Sequence, residues 1–176
     1  MAPLQRMHDD TLDTIDRRVT RWMALHGLTL LRWSVGAVFL WFGALKFFPG
    51  LSPADDLAGR TIERLTGGAV LPSVSLPMLA TWECLVGLGL LTQRFMRATL
   101  FLLAAQMAGT LAPLLLFPGE TFARFPFVPT LEGQYILKNA VIISAAIVLG
   151  ATVRGGGIVP HPSPDLPKSP AEEPVR

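Results

Sequence analysis

The sequence predicts an all-α integral membrane protein: a bundle of four transmembrane helices, both termini cytoplasmic, with amphipathic helices at the N terminus and in the outer loop. Three observations lead there. Of 176 residues, 51% are hydrophobic and only 16% charged, and the mean hydropathy is +0.45; soluble domains carry roughly 25% charged residues. The charges crowd into the two ends and the short linkers. Between them lie four apolar runs, residues 28–48, 72–92, 95–117 and 131–153, each close to the ~20 residues that a helix needs to cross the hydrocarbon core. A soluble domain of 19.1 kDa would need most of that charge on its surface, so that class is excluded.

Residues 1–27 read as a cytoplasmic segment that lies on the membrane. Leu12, Ile15, Val19 and Trp22 recur at helical spacing, with Arg17, Arg18 and Arg21 among them, the pattern of an interfacial amphipathic helix. After the first run, Ser52-Pro53-Ala54-Asp55-Asp56 has the chemistry of a helix start: a capping serine, a proline at the first position and acids at the positive end of the dipole. Leu57, Thr61, Ile62 and Leu65 then share a face and Gly67-Gly68 offers a stop, so a short surface helix should cover one mouth of the bundle. Gln93 and Arg94 leave only a tight turn between the second and third runs, which makes them antiparallel neighbours. Pro113 should kink the third run. The six prolines between 160 and 174 predict a disordered cytoplasmic tail over residues 154–176.

Orientation follows from where the basic residues lie. Arg6, Arg17, Arg18 and Arg21, then Arg94 and Arg97, then Arg154, Lys168 and Arg176 fall on one side; Arg60, Arg64 and Arg124 fall on the other. The positive-inside rule therefore places both termini in the cytoplasm. Much chemistry is excluded at the same time. The net charge of +2 is too mild to argue for nucleic acid. Cys84 is the single cysteine, which rules out an internal disulfide and a cysteine-built metal site, and His8, His26 and His161 lie outside the apolar runs.

Charged and polar groups inside the spans carry the functional signal, because each costs roughly 2.5–3.5 kcal/mol at a helix centre on insertion scales. The first span holds Arg32 and Lys46, the second Glu83, the third Gln106, and the fourth Gln134, Lys138 and Asn139. On helical wheels, Arg32, Gly36, Phe39, Gly43 and Lys46 share one face, as do Ala80, Glu83 and Gly87, and Thr99, Gln106, Thr110 and Pro113. Gln134 and Lys138 lie together on the fourth span, with Asn139 about 100° further round. The candidate site is therefore Lys46, Glu83, Gln106, Gln134, Lys138 and Asn139, converging in the outer half of the bundle. Lys138 should reach Glu83 with its flexible stem, and Lys46 only from above. Two readings stay open. In one, Glu83 pairs with a lysine and locks the helices, while Arg32 and Lys46 snorkel to the interfaces. In the other, two lysines against one glutamate leave a site for an anion, a quinone oxygen or another polar head group. Cys84 reads as a packing residue, and Trp33, Trp41 and Trp82 as lipid-facing or interfacial anchors.

Three stretches of these spans resemble a known family. Phe39-Leu40-Trp41-Phe42-Gly43-Ala44-Leu45-Lys46-Phe47 is similar to the first-helix signature of DoxX-like membrane proteins, and more narrowly to the YkgB/RclC branch associated with reactive-chlorine resistance. Trp82-Glu83-Cys84-Leu85-Val86-Gly87 resembles the family's second helix, and the stretch from Glu132 to Asn139 its polar fourth-helix entry. The likeness covers residues 28–150; the linker 49–71 is more compact than that branch tends to have. The resemblance implies a four-helix membrane fold, a link to redox or oxidative-stress systems, and a quinone as the candidate cofactor. It carries over to Lys46, Glu83, Lys138 and Asn139.

Three classes of function follow. The leading one is a redox-associated membrane protein that binds a quinone or similar small lipophilic molecule. Because no redox-active group is evident in the chain, it would draw electrons from a partner protein or a bound cofactor. The second is transport of a small solute along the buried charges, and the third a non-catalytic scaffold or assembly subunit. Gly36 and Gly43 permit close helix contact, either within the bundle or in a homodimer.

Overall fold

The computed structural model describes residues 2–48, 50–52 and 55–157. In chain order these form α1 (Ala2–Leu45), α2 (Asp55–Leu65), α3 (Pro72–Thr92), α4 (Met96–Leu111), α5 (Pro113–Leu116), α6 (Pro118–Thr121), β1 (Phe122–Arg124), β2 (Val128–Pro129) and α7 (Leu131–Ala151). Among the described residues, four helices are long and apolar enough to cross a membrane: Leu12–Leu45, Pro72–Thr92, Met96–Leu116 and Leu131–Ala151. They form a closed ring in which α1 packs on α3, α3 on α4, α4 on α7, and α7 back on α1. The protein is thus a mostly helical membrane bundle, with a small antiparallel hairpin of β1 and β2 that an all-α reading leaves out.

The second span has the boundaries the sequence predicts; the others differ in instructive ways. No break separates the N-terminal segment from the first span, because α1 runs unbroken through Gly27. A single glycine costs a helix only about 1 kcal/mol, and no proline stands between Leu4 and Lys46 to stop it. From Leu12 to Gly27 every residue is exposed, so this half of α1 projects from the bundle as an arm rather than packing on it. The third span is interrupted as Pro113 requires. Gly109 O, which a proline at 113 cannot engage, instead accepts from Ala112 N at 3.2 Å. In the linker between the first two spans, Asp55 and Asp56 stand in the first turn of α2 as expected, while Pro53 lies outside the described residues. Thr61 is buried and Leu57 and Ile62 are half-buried, but Leu65 turns outward. Gly67 and Gly68 both take positive φ, +62° and +84°, and carry the chain from α2 into α3. Of the expected proline-rich tail, residues 158–176 lie outside the described part.

The most extensive contact is between α1 and α3, and glycines set it. A methyl group at Gly87 would lie 2.6 Å from Leu40 N and 2.8 Å from Gly36 O. One at Gly43 would lie 2.8 Å from Glu83 Cβ and 3.0 Å from Cys84 N. The two backbones touch because these positions carry no side chain, the small-residue packing by which membrane helices associate. Inward from this seam, Val35, Phe39, Val86, Leu90, Leu103, Met107, Ala145 and Leu149 make the apolar core.

Gly87→Ala should therefore lower the thermal midpoint in mild detergent, since overpacking a filled contact costs about 1–3 kcal/mol. Gly109→Ala, at a position with open space around it, should leave the midpoint unchanged or raise it slightly, since alanine is the better helix former. Equal midpoints for the two variants would contradict the close α1–α3 approach.

Candidate functional site

The antiparallel register of α1 against α3 decides where the first lysine falls. Gly36 abuts Leu90 and Leu91, and Gly43 abuts Glu83 and Cys84, so α1 ends at Leu45 opposite the middle of α3. About nine residues of α3, or roughly 13 Å, continue beyond that point. The last carbonyls of α1 are closed by tight bonds: Lys46 N to Gly43 O (3.2 Å), Phe47 N to Ala44 O (3.2 Å) and Phe48 N to Leu45 O (3.0 Å). Lys46 stands at the negative end of the helix dipole. It does not stand level with the end of α3, and it meets Glu83 at the same depth rather than from above.

Three side chains meet there. Lys46 Nζ donates to Glu83 Oε2 at 2.7 Å, and the two side chains are only 8% and 11% exposed. Gln106 Nε2 on α4 donates to Glu83 Oε1 at 2.8 Å. Both carboxylate oxygens are thus engaged, by an ammonium from α1 and an amide from α4, and Gln106 Oε1 is buried with no partner. Of the three ion pairs among the described residues, this one alone lies between spanning helices. Breaking such a pair from one side leaves an uncompensated buried charge, at a cost of about 3–5 kcal/mol.

The other three residues of the sequence-predicted cluster do not join it. Gln134 and Lys138 are exposed and Asn139 is half-buried, and none of them bonds to Lys46, Glu83 or Gln106. The inward face of α7 is Gly133, Ile136, Ala145 and Leu149 instead. Thr130 caps this helix, accepting from Gly133 N at 3.2 Å, so Gln134 and Lys138 fall within its first turns. There a long side chain reaches the interface at little cost, and the Lys138 ammonium sits 5.2 Å from the centre of the Tyr135 ring.

Two further side chains behave differently from the sequence reading. Arg32 does not snorkel: it is 6% exposed, and Nη1 donates to the carbonyls of Leu90 and, at 3.2 Å, Leu91. With its amide turned to the sensible orientation, Gln93 Oε1 accepts from Arg32 Nε and Nη2 at 3.2 Å each. Arg32 thus closes the carbonyl end of α3, where a cation is favoured. The sequence signal was its place on the glycine face of α1. Trp82 is not a free anchor either. Its indole N–H donates to Leu102 O at 3.1 Å and ties α3 to α4, whereas Trp33 and Trp41 are exposed. Trp82 and Leu102 also line an apolar groove of about 450 Å³ on the lipid side of these helices, with Pro77 and Met78.

The mouth of the bundle beyond the end of α1 is roofed by α2 and α6. Arg60 holds Glu120 with two bonds, 2.9 and 2.7 Å, and Asp56 at 2.9 Å, and its guanidinium lies 5.4 Å from the centre of the Phe117 ring. The hydrogen bond from Arg60 holds the Glu120 carboxyl below its ordinary range, and the same contact raises the Arg60 guanidinium.

Fold and site together define a multi-pass helical membrane protein with a three-residue polar centre inside its bundle. Neither protein-family models, nor curated proteins, nor solved structures give a match to this chain.

Two predictions separate the residues. Lys46→Met should destabilise the bundle by about 3–5 kcal/mol, with much of that loss recovered in the double variant with Glu83→Gln. Lys138→Met should change the midpoint by less than about 0.5 kcal/mol. Large loss in Lys138→Met and none in Lys46→Met would reverse the assignment of the pair. At the roof, a carboxyl held low in the folded state contributes stability above its unfolded value near 4.5 and loses it as the pH falls below that. The protection of the α2 amides, taken against the intrinsic exchange rate at each pH, should accordingly fall below about pH 4.5, and Glu120→Gln should already be weakly protected at neutral pH and lack this step. An α2 equally protected in Glu120→Gln would show that Arg60 does not hold the roof.

Proposed function

We propose that this chain is a DoxX-like protein of the bacterial inner membrane that binds a small lipophilic molecule, a quinone type foremost, at Lys46, Glu83 and Gln106. The observation that carries the reading is a hydrogen-bonded ion pair held between spanning helices with spare hydrogen-bonding capacity. Ionisable groups inside a membrane bundle are rare and tend to mark a binding or transfer site. The groove beside Trp82 supports a ligand that arrives from the lipid. None of Lys46, Glu83 and Gln106 lines the groove, so in this reading the head group reaches the centre by passing between α3 and α4. Both termini are cytoplasmic in this reading, supported by the excess of basic residues on that side. Electrons for any redox step come from a partner protein. Lys138 and Asn139 have no part in the head-group site.

The test is mass spectrometry of small molecules that co-purify with the full chain in mild detergent. A stoichiometric polar-headed lipophile present in wild type and in Lys138→Met, and lost from folded Glu83→Gln, is the expected result. An empty wild type, with Glu83→Gln merely less stable, would overturn this reading in favour of the scaffold. The saturation of both Glu83 oxygens by protein groups is the observation that favours that alternative.

A further inference from the structure

The hydrogen bonds left unmade at the polar centre specify what its ligand must offer. Gln106 is 8% exposed, and its amide orientation is fixed by its neighbour: Nε2 faces the Glu83 carboxylate at 2.8 Å. Turning the amide over would set its oxygen against a carboxylate oxygen, acceptor against acceptor. Gln106 Oε1 therefore has to point elsewhere, and it does so without a partner. On the other side of the same carboxylate, the Lys46 ammonium has three N–H groups and uses one among the described residues. The centre thus presents one buried acceptor that wants a donor, and donors that want an acceptor.

We infer that the ligand head is a hydroxyl-bearing group, a phenol or quinol, rather than a carbonyl-only quinone. This rests on the reading of the cluster as a binding site given above. A hydroxyl donates to Gln106 Oε1 and offers its lone pairs to the lysine. A quinone or an ether can accept from Lys46, but it leaves the Gln106 oxygen buried and unpaired. Sites built to pair a buried polar group discriminate against the analogue that lacks the matching group.

The experiment is a titration of the full chain in detergent with a para-alkylphenol and with its methyl ether, followed by quenching of tryptophan fluorescence. The ether is the more lipophilic of the two, so partition into the micelle favours it and cannot imitate recognition. The expected result is that the phenol binds about ten- to a hundredfold more tightly to wild type. The preference should collapse in Gln106→Met, with the ether affinity little changed. Equal affinities in wild type would overturn the inference while leaving the site in place, with water as the partner of Gln106 Oε1. If neither probe binds, the inference and the binding-site reading fall together. The wild-type ratio decides the matter even if Gln106→Met does not fold.

Discussion

An ion pair in the middle of a membrane bundle is stable only if its geometry is tight and its remaining hydrogen-bonding groups are met. The Lys46–Glu83 pair imposes that requirement on the rest of the protein. Lys46 gets to Glu83 because α1 stops at Leu45, halfway along α3, and closes its own carbonyls with short-range bonds. Glu83 is within reach because Gly43 presents no side chain to it, and Gly87 keeps the two backbones together one turn further in. Gln106 completes the carboxylate from a third helix. The seam, the helix end and the polar centre are therefore one arrangement, and a change in any of them is felt by the others.

Stopping α1 at that depth leaves the half of the bundle beyond Leu45 short of one helix. The linker and α2 lie there instead, with Gly59 against Pro72 at the start of α3 and Arg60 bound to Glu120. The opposite end is treated differently. Arg32 closes the carbonyl end of α3, and beyond it α1 continues as an exposed arm in which Leu12, Ile15, Val19 and Trp22 are each about half exposed. One end is roofed; the other projects.

How far the sequence could be read depended on how far a polar residue lies from the end of its helix. For the first three spans the wheels gave the inward faces correctly: Arg32, Gly36, Phe39 and Gly43, then Ala80, Glu83 and Gly87, then Thr99, Gln106 and Pro113 are all buried. At mid-helix a polar group has no route to water, so burial among its neighbours is its only solution. On α7 the same argument failed, because Gln134 and Lys138 begin the helix and can turn outward. The choice of lysine failed for a related reason: span lengths count apolar residues, and residues 46–48 continue the count after the helix has ended. Nor does a wheel show that Arg32 lies beside the exposed carbonyls of another helix, or that Trp82 can find an acceptor across α4. Those partners come from tertiary packing. The hairpin between α6 and α7 gave no periodic signal, because its strands are only three and two residues long.

The central claim is that Glu83 is an ionised carboxylate held by Lys46 inside the bundle. Isotope-edited infrared spectroscopy of the glutamate side chains in lipid at neutral pH tests it directly. The account predicts a carboxylate band that is lost in Glu83→Gln, and that is replaced in Lys46→Met by the carbonyl band of a protonated acid. A protonated carboxyl at Glu83 in the wild type, unchanged by Lys46→Met, would contradict it.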